Sequence, residues 1–200
     1  MASPIEMRKL SRDSLMTLEA YARARKEFRA KVIAHKKART VHLGEHLTLI
    51  FEDELTIRYQ VQEMLRIEKI FEERGIQDEI DAYSALIPDG RNFKATMLIE
   101  YEDEGERRAA LAGLKGIEDR VWVRVEGCAA VYAIADEDLE RENAEKTSSV
   151  HFLRFELTRE MAESLKYGVS LAMGVDHANY TARLDPVGPE VRASLTNDLA

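Results

Sequence analysis

The chain has 200 residues, 45% of them hydrophobic and 33% charged, enough apolar matter for one globular domain that can stand without disulfides or metal. Its one cysteine, Cys128, excludes an internal disulfide, a cysteine-based zinc site and an iron–sulfur cluster. The net charge of −8 is unevenly spread: residues 1–39 hold eleven Lys and Arg against four acids, a surplus of seven, which leaves fifteen net negative charges on residues 40–200.

The opening MASPIEMRKLSRDS lacks the apolar centre of a secretory signal, and no run reaches the length of a membrane span, so a cytoplasmic location is expected. Asp13 is placed to cap a helix. Leu15, Leu18, Ala22, Phe28, Val32 and Ile33 recur at spacings near three and four, which predicts a long helix from about Ser14 to Lys37. Its apolar stripe is thin and broken by Arg25, so this basic helix needs a surface, either the acidic body of its own chain or that of a second copy. Val41–Leu43 and Leu47–Phe51 read as strands across a Gly44-Glu45 turn.

Asp53 caps the next helix, within FEDELTIRYQVQEMLRIE, and Gly75 stands where its C-terminus is expected. The alternation Leu55-Ile57-Tyr59-Val61 also fits a strand. A helix over Gln77–Leu86, a Pro88-Asp89-Gly90 turn and a strand over Phe93–Tyr101 follow, then a short helix over Glu106–Leu114. Val121, Val123 and Val125 alternate with Trp122 and Arg124, and Ala129–Ile134 returns as the second arm of a hairpin. Residues Ala135–Ser149 are acidic and polar, and read as a mobile linker or frayed helix. Val150–Leu157 is a strand, Thr158 caps a helix to Lys166, and Val169–Val175 and Tyr180–Leu184 are strands around Asp176-His177-Ala178-Asn179. Pro189 suits the first position of a last helix. The class is α+β: a mainly antiparallel sheet with helices packed on one face and a long N-terminal helix. The organisation is a basic helical arm over 1–39 and one α+β domain over 40–200.

The runs FEDELTIRYQVQEMLRIEKI, SALIPDGRNFKATMLIEYED, SSVHFLRFELT and VDHANYTARL resemble the bacterial domain of unknown function 3501 family over nearly the whole chain. QVQEMLR and VDHANY carry the likeness best. The family has no established activity. The resemblance implies genes beside those of rubrerythrin-like proteins and iron–sulfur oxidoreductases, hence a partner of that kind and a role in oxidative stress or electron transfer.

Two clusters are candidate sites. The first is Arg58, Tyr59, Gln60, Gln62, Glu63, Arg66 and Glu68, more polar residues than solvation of one helix requires. Tyr59 and Glu63 share a face, as do Gln62 and Arg66. With Glu72 and Glu79, Glu63 and Glu68 could hold a hard metal ion, but the paired Glu-x-x-His repeats of di-iron proteins are missing, and a satisfied packing network explains the cluster as well. The second is Asp176, His177, Asn179 and Tyr180, where His177 could act as a base oriented by Asp176, or the turn could simply bond its own backbone. His42 and His46 are separated by Gly44, His151 lies on a strand, and Gly113-Leu114-Lys115-Gly116 matches a helix stop as well as a nucleic-acid clamp. Cys128 reads as a small buried residue, with Arg124 the one nearby cation. GxGxxG, P-loop, HExxH, CxxC and GxSxG patterns are all missing, which leaves nucleotide-dependent, zinc-protease and serine-hydrolase chemistry without support. The expected function is a non-enzymatic accessory or interaction module, homodimeric. A small metal-binding protein or metalloenzyme using Glu63, nearby carboxylates and His177 is the alternative, and nucleic-acid binding through the basic arm is a third reading. No cofactor or metal ligand is assigned.

Overall fold

The computed structural model describes residues 10–200; the first nine residues of the basic arm, Arg8 and Lys9 among them, lie outside these. A 3-10 turn over Arg12–Ser14 precedes α1, Leu18–Lys37. Thr17, not Asp13, caps α1, its side chain accepting from the Ala20 amide. The hairpin β1 (Thr40–Leu43) and β2 (Leu47–Phe51) turns through Gly44, whose φ of +74° suits only glycine comfortably. A Cβ there would also lie 2.5 Å from the Tyr180 hydroxyl, so the turn is held to both backbone and neighbour.

The first candidate cluster lies on a helix, α2, over Glu54–Glu68. Asp53 and Thr56 form a reciprocal cap, which settles the strand-like alternation in favour of helix. The end differs from expectation. Lys69 takes the left-handed conformation (φ 55°) and stops α2, so Gly75 falls inside α3, Glu73–Ser84. Then come β3 (Asn92–Ile99), α4 (Glu104–Gly113), a 3-10 turn over Ile117–Arg120, β4 (Val121–Val125), β5 (Val131–Tyr132) and β6 (Ile134–Ala135). The chain closes with β7 (Val150–Glu156), α5 (Arg159–Lys166), β8 (Leu171–His177), β9 (Tyr180–Leu184) and α6 (Pro189–Thr196). The tight turn is therefore Ala178-Asn179, with Asp176 and His177 on β8.

The class is α+β, and its strands divide between two antiparallel sheets, β1-β2-β3-β7-β6 and β5-β4-β8-β9. The division occurs at Ala133, where the chain leaves β5 in one sheet and enters β6 in the other. The inward rows Leu49, Phe51, Phe93, Met97 and Phe155 of the first sheet meet Val121, Val123, Met173 and Val175 of the second in one core. Alternation places the rows of β4 and β7 and most of β3, whereas β8 is buried without a break from Leu171 to Val175. A smaller core joins α2 and α3 through Ile57, Val61, Leu65, Ile76 and Ile80. The 136–149 connection is not a loose linker. Arg141 bonds Asp136 and Asp138, Arg154 bonds Glu137, Glu142 accepts from the Gly116 amide, and Thr147 is buried.

Candidate functional site

The expected cluster on α2 divides by direction. Five of its residues serve the seam with α1. Glu63 accepts from the Tyr21 hydroxyl at 2.6 Å, from Arg25 Nε and Nη2 at 2.7 and 2.9 Å, and from Arg66 at 3.1 Å. The fork of Arg25, with the Tyr21 and Arg66 bonds, holds the Glu63 carboxyl down at about 2 even though partial burial opposes it. Burial first, and then the bond to Glu63, push the Tyr21 hydroxyl up. Gln62 is buried and accepts from the Met16 amide at 2.6 Å. Arg58 stands 5.5 Å over the Phe28 ring and pairs with Glu54, and Tyr59 meets Phe28 edge-on at 5.9 Å. A carboxylate already served by Tyr21 and two arginines has no vacancy for a metal ion. This part of the cluster is the packing network that fixes α1.

Gln60 and Glu68 face elsewhere. They line a groove of about 680 Å³ between α2, α3 and the outer face of β3 and β7. Met64, Ala82, Tyr83, Leu86 and Phe152 supply its apolar surface. The 137–141 segment closes one side, where Arg154 forks onto Glu137 and Arg141 lies 4.6 Å over Phe152 while bonding Asp138. Those charges neutralise one another. Glu68, Glu79 and Lys94 make no ion pair among the described residues. Burial, then Glu68 and Asp78, raise Glu79, and burial lowers Lys94, whose Nζ donates to the Ala85 carbonyl at 2.6 Å. The groove thus joins an apolar floor to two acids and one lysine that have charge to spare.

The second candidate cluster is structural. His177 Nε2 lies 3.0 Å from the Lys115 carbonyl and Nδ1 accepts from the Asn179 amide at 3.2 Å, which fixes a neutral tautomer with both nitrogens in use. Asp176 does not orient it, but accepts from the Tyr132 hydroxyl at 2.6 Å. Asn179 donates to the Gly113 carbonyl, so the GLKG stop of α4 anchors this hairpin. Tyr180 bonds the Leu43 carbonyl at 2.6 Å and receives the His46 amide at 3.1 Å, clamping the β1–β2 turn. The two clusters share no partner: one serves α1 and α2, the other the second sheet and β1.

The remaining motifs are also accounted for. His42 faces Thr48 and His46 faces the Glu100 carbonyl, each through Nδ1, and His46 stacks at 3.9 Å on Tyr101. His46 borders a depression of about 790 Å³ beside Tyr101, whose rim also carries Glu45, Glu102, Glu106 and Arg107. Cys128 is half-buried, and Arg124 is already paired with Asp185 at 3.0 Å. Sequence reasoning missed Met64, Lys94, Arg141 and Phe152, which meet only in the folded chain. It also missed the set of Glu118, Asp136 and His151, buried apart from a half-buried Asp136, whose one visible signal is that His151 shares the strand parity of the core residues Leu153 and Phe155.

The chain is thus a two-sheet α+β domain with a groove between two helices and the outer face of its first sheet. The family described as protein of unknown function (DUF3501) matches residues 9–199, and the chain belongs to that family. It is 62% identical to a novel protein of unknown function from Burkholderia pseudomallei K96243, known from a crystal structure, with a TM-score of 0.92, covering 96% of this chain and 100% of that one. No curated protein matches it. Among the described residues no helix is long and apolar enough to cross a membrane.

Proposed function

We propose that the protein is a non-enzymatic accessory or interaction module that docks a segment of a partner protein in the α2–α3 groove. One observation carries this reading: Glu68 and Glu79 stand without an ion pair beside an apolar floor, outnumbering the one unpaired lysine there, Lys94, while Arg141 and Arg154 are taken by Asp138 and Glu137. An amphipathic segment with a Lys or Arg would bury its apolar side on Met64 and Phe152 and set its cation between the two acids. A rubrerythrin-like protein or an iron–sulfur oxidoreductase is the partner class to try first, on the family resemblance alone. A lone thiol in Cys128 suits a reducing cytoplasm. Isothermal calorimetry with such a partner should show binding to the wild type, and Met64→Arg should weaken it at least tenfold, about 1.4 kcal/mol. Full binding by Met64→Arg would move the interface off the groove.

A second observation bears on α1. Arg12, Arg25, His35 and Arg39 lie on acids of the same chain, at Glu73, Glu63, Asp53 and Asp198. Arg23, Lys26, Arg29, Lys31 and Lys37 face outward and make no ion pair among the described residues. This basic face suits the acidic surface of a second copy, the homodimer expected of the chain. Light scattering should then give a dimer that Lys26→Glu with Arg29→Glu converts to monomer. A wild-type monomer that binds DNA or RNA in low salt would replace the dimer with the nucleic-acid reading.

A further inference from the structure

The α2–α3 groove has two ends of opposite charge. The two helices run antiparallel along it. A Cβ on Gly75, near the start of α3, would lie 2.8 Å from Ile70, just past α2, while Ile87, past the end of α3, shares a cavity with Leu55 in the first turn of α2. Glu68, the last residue of α2, and Glu79 therefore mark one end, close enough that Glu68, after burial, helps to raise Glu79. Lys94 marks the other, where its Nζ donates to the carbonyl of Ala85, the cap of α3, at 2.6 Å. That bond takes one of three ammonium hydrogens, and the lysine has no ion pair among the described residues.

Between the ends the lining is apolar: Met64 and Leu86 come from the helices and Phe152 from the floor. Ile67 lies on the stripe of α2 that carries Gln60 and Met64 and is 56% exposed, so the apolar surface continues at the acidic end. From Gln60 to Glu68 the helix rises about 12 Å. The floor offers no strand edge, because β3 and β7 pair with each other from Asn92–Glu156 to Leu98–Val150. An extended segment would leave its backbone groups unbonded there, whereas a helix bonds its own.

We infer that the groove receives an amphipathic α-helix with a Lys or Arg at one position, apolar residues three and four positions on, and an Asp or Glu seven positions on. Residues at these spacings share one helix face. Seven residues rise about 10 Å, close to the rise from Gln60 to Glu68. The cation sits between Glu68 and Glu79, the apolar pair on Met64 and Phe152, and the carboxylate on Lys94. A helix charged alike at both ends is refused at one of them. Helix and charge order both rest on the groove being the docking site.

The probe is an alanine-rich peptide of about 16 residues, long enough to be partly helical alone, with Lys, Leu, Leu and Glu at i, i+3, i+4 and i+7. Fluorescence anisotropy with the whole chain should show it binding at least tenfold more tightly than the same peptide with Lys in place of the Glu. Lys94→Glu should reverse that preference. Should that variant fail to fold, Lys94→Met should erase it. Exchanging a central, outward alanine of the peptide for Pro should weaken binding at least tenfold. Equal binding of both peptides, lost in Met64→Arg, would overturn the charge order and leave the groove as the interface. So would a preference unchanged by the Lys94 variants. A Pro peptide that binds as well as its parent would overturn the helix. Binding that survives Met64→Arg would overturn the groove itself. No binding of the parent peptide at about 1 mM would overturn the helix motif, with the groove still to be judged by calorimetry with a partner protein.

Discussion

Replacing Arg39 by Met should lower the stability of the fold by about 3–5 kcal/mol, read from the midpoint of urea unfolding at unchanged slope. Arg39 is 1% exposed, yet every part of its fork is used. Nε donates to the Phe51 carbonyl, Nη2 to the Glu52 carbonyl and to Asp198 at 2.5 Å, and Nη1 to Ser194. It ties the start of β1 to α6 and to Asp198 just beyond it. Removing it leaves a buried Asp198 without its cation. Burial already lifts Asp198 to about 6 against the pull of Arg39, above the roughly 3.9 of an unfolded Asp. The folded state therefore holds this proton the more tightly. Its contribution is fully present below pH 4 and fades as pH rises through 6. Without Arg39 the charged form is worse still, so the variant's loss should grow between pH 5 and pH 8. Adding Asp198→Leu should recover much of it, because the more deeply buried of the two carboxylates beside Arg39 is then gone, while Asp53 keeps His35 and the Thr56 amide. Equal losses at both pH values, with no recovery, would contradict this account of the pair.

Glu63→Ala should cost about 2–3 kcal/mol at neutral pH and should free α1 before the rest of the molecule unfolds. The loss has two parts: the charge-assisted bonds to Arg25 and Arg66, and the Tyr21 hydroxyl left without an acceptor. Glu63 is held at about 2, below the roughly 4.3 of an unfolded Glu. Its contribution is therefore present above pH 4.3 and is lost as pH falls through 2. Wild type and Glu63→Ala should converge in stability toward pH 2. Amide exchange along Leu18–Lys37 reads the local effect, which should exceed the effect on β3. Uniform acceleration through the sheets would mean that Glu63 supports the whole fold rather than the α1 seam.

Much of the architecture was written in local patterns. Alternation of Val121, Val123 and Val125 and of Phe93, Ala95 and Met97 marks strands because each pattern matches the two-residue period of a buried face. Asp53 and Thr158 mark helix starts because their side chains reach amides three residues on. The end of α2 was not legible, since Lys69 takes a conformation more often given to glycine and Gly75 is an ordinary helical residue. Nor was the division into two sheets, which depends on one residue, Ala133, passing between them. The site was legible only in part. The cluster on α2 was visible as excess polarity, but which residues face α1 and which face the groove depends on where α1 lies. Gln60 and Glu68 acquire meaning from Lys94, Phe152 and Arg141, which lie 26 to 92 residues further along the chain. Glu118, Asp136 and His151 come from separate segments, so no short spacing reveals them.

The central claim is that the α2–α3 groove receives a partner. Its most direct test is a photoreactive amino acid placed at position 82, on the groove floor, with a control at the exposed position 167. Irradiation of cells should give a discrete adduct from position 82 and none from 167, and Glu79→Lys in the same chain should abolish it. Adducts equally abundant from both positions, or an adduct from 82 untouched by Glu79→Lys, would contradict the claim.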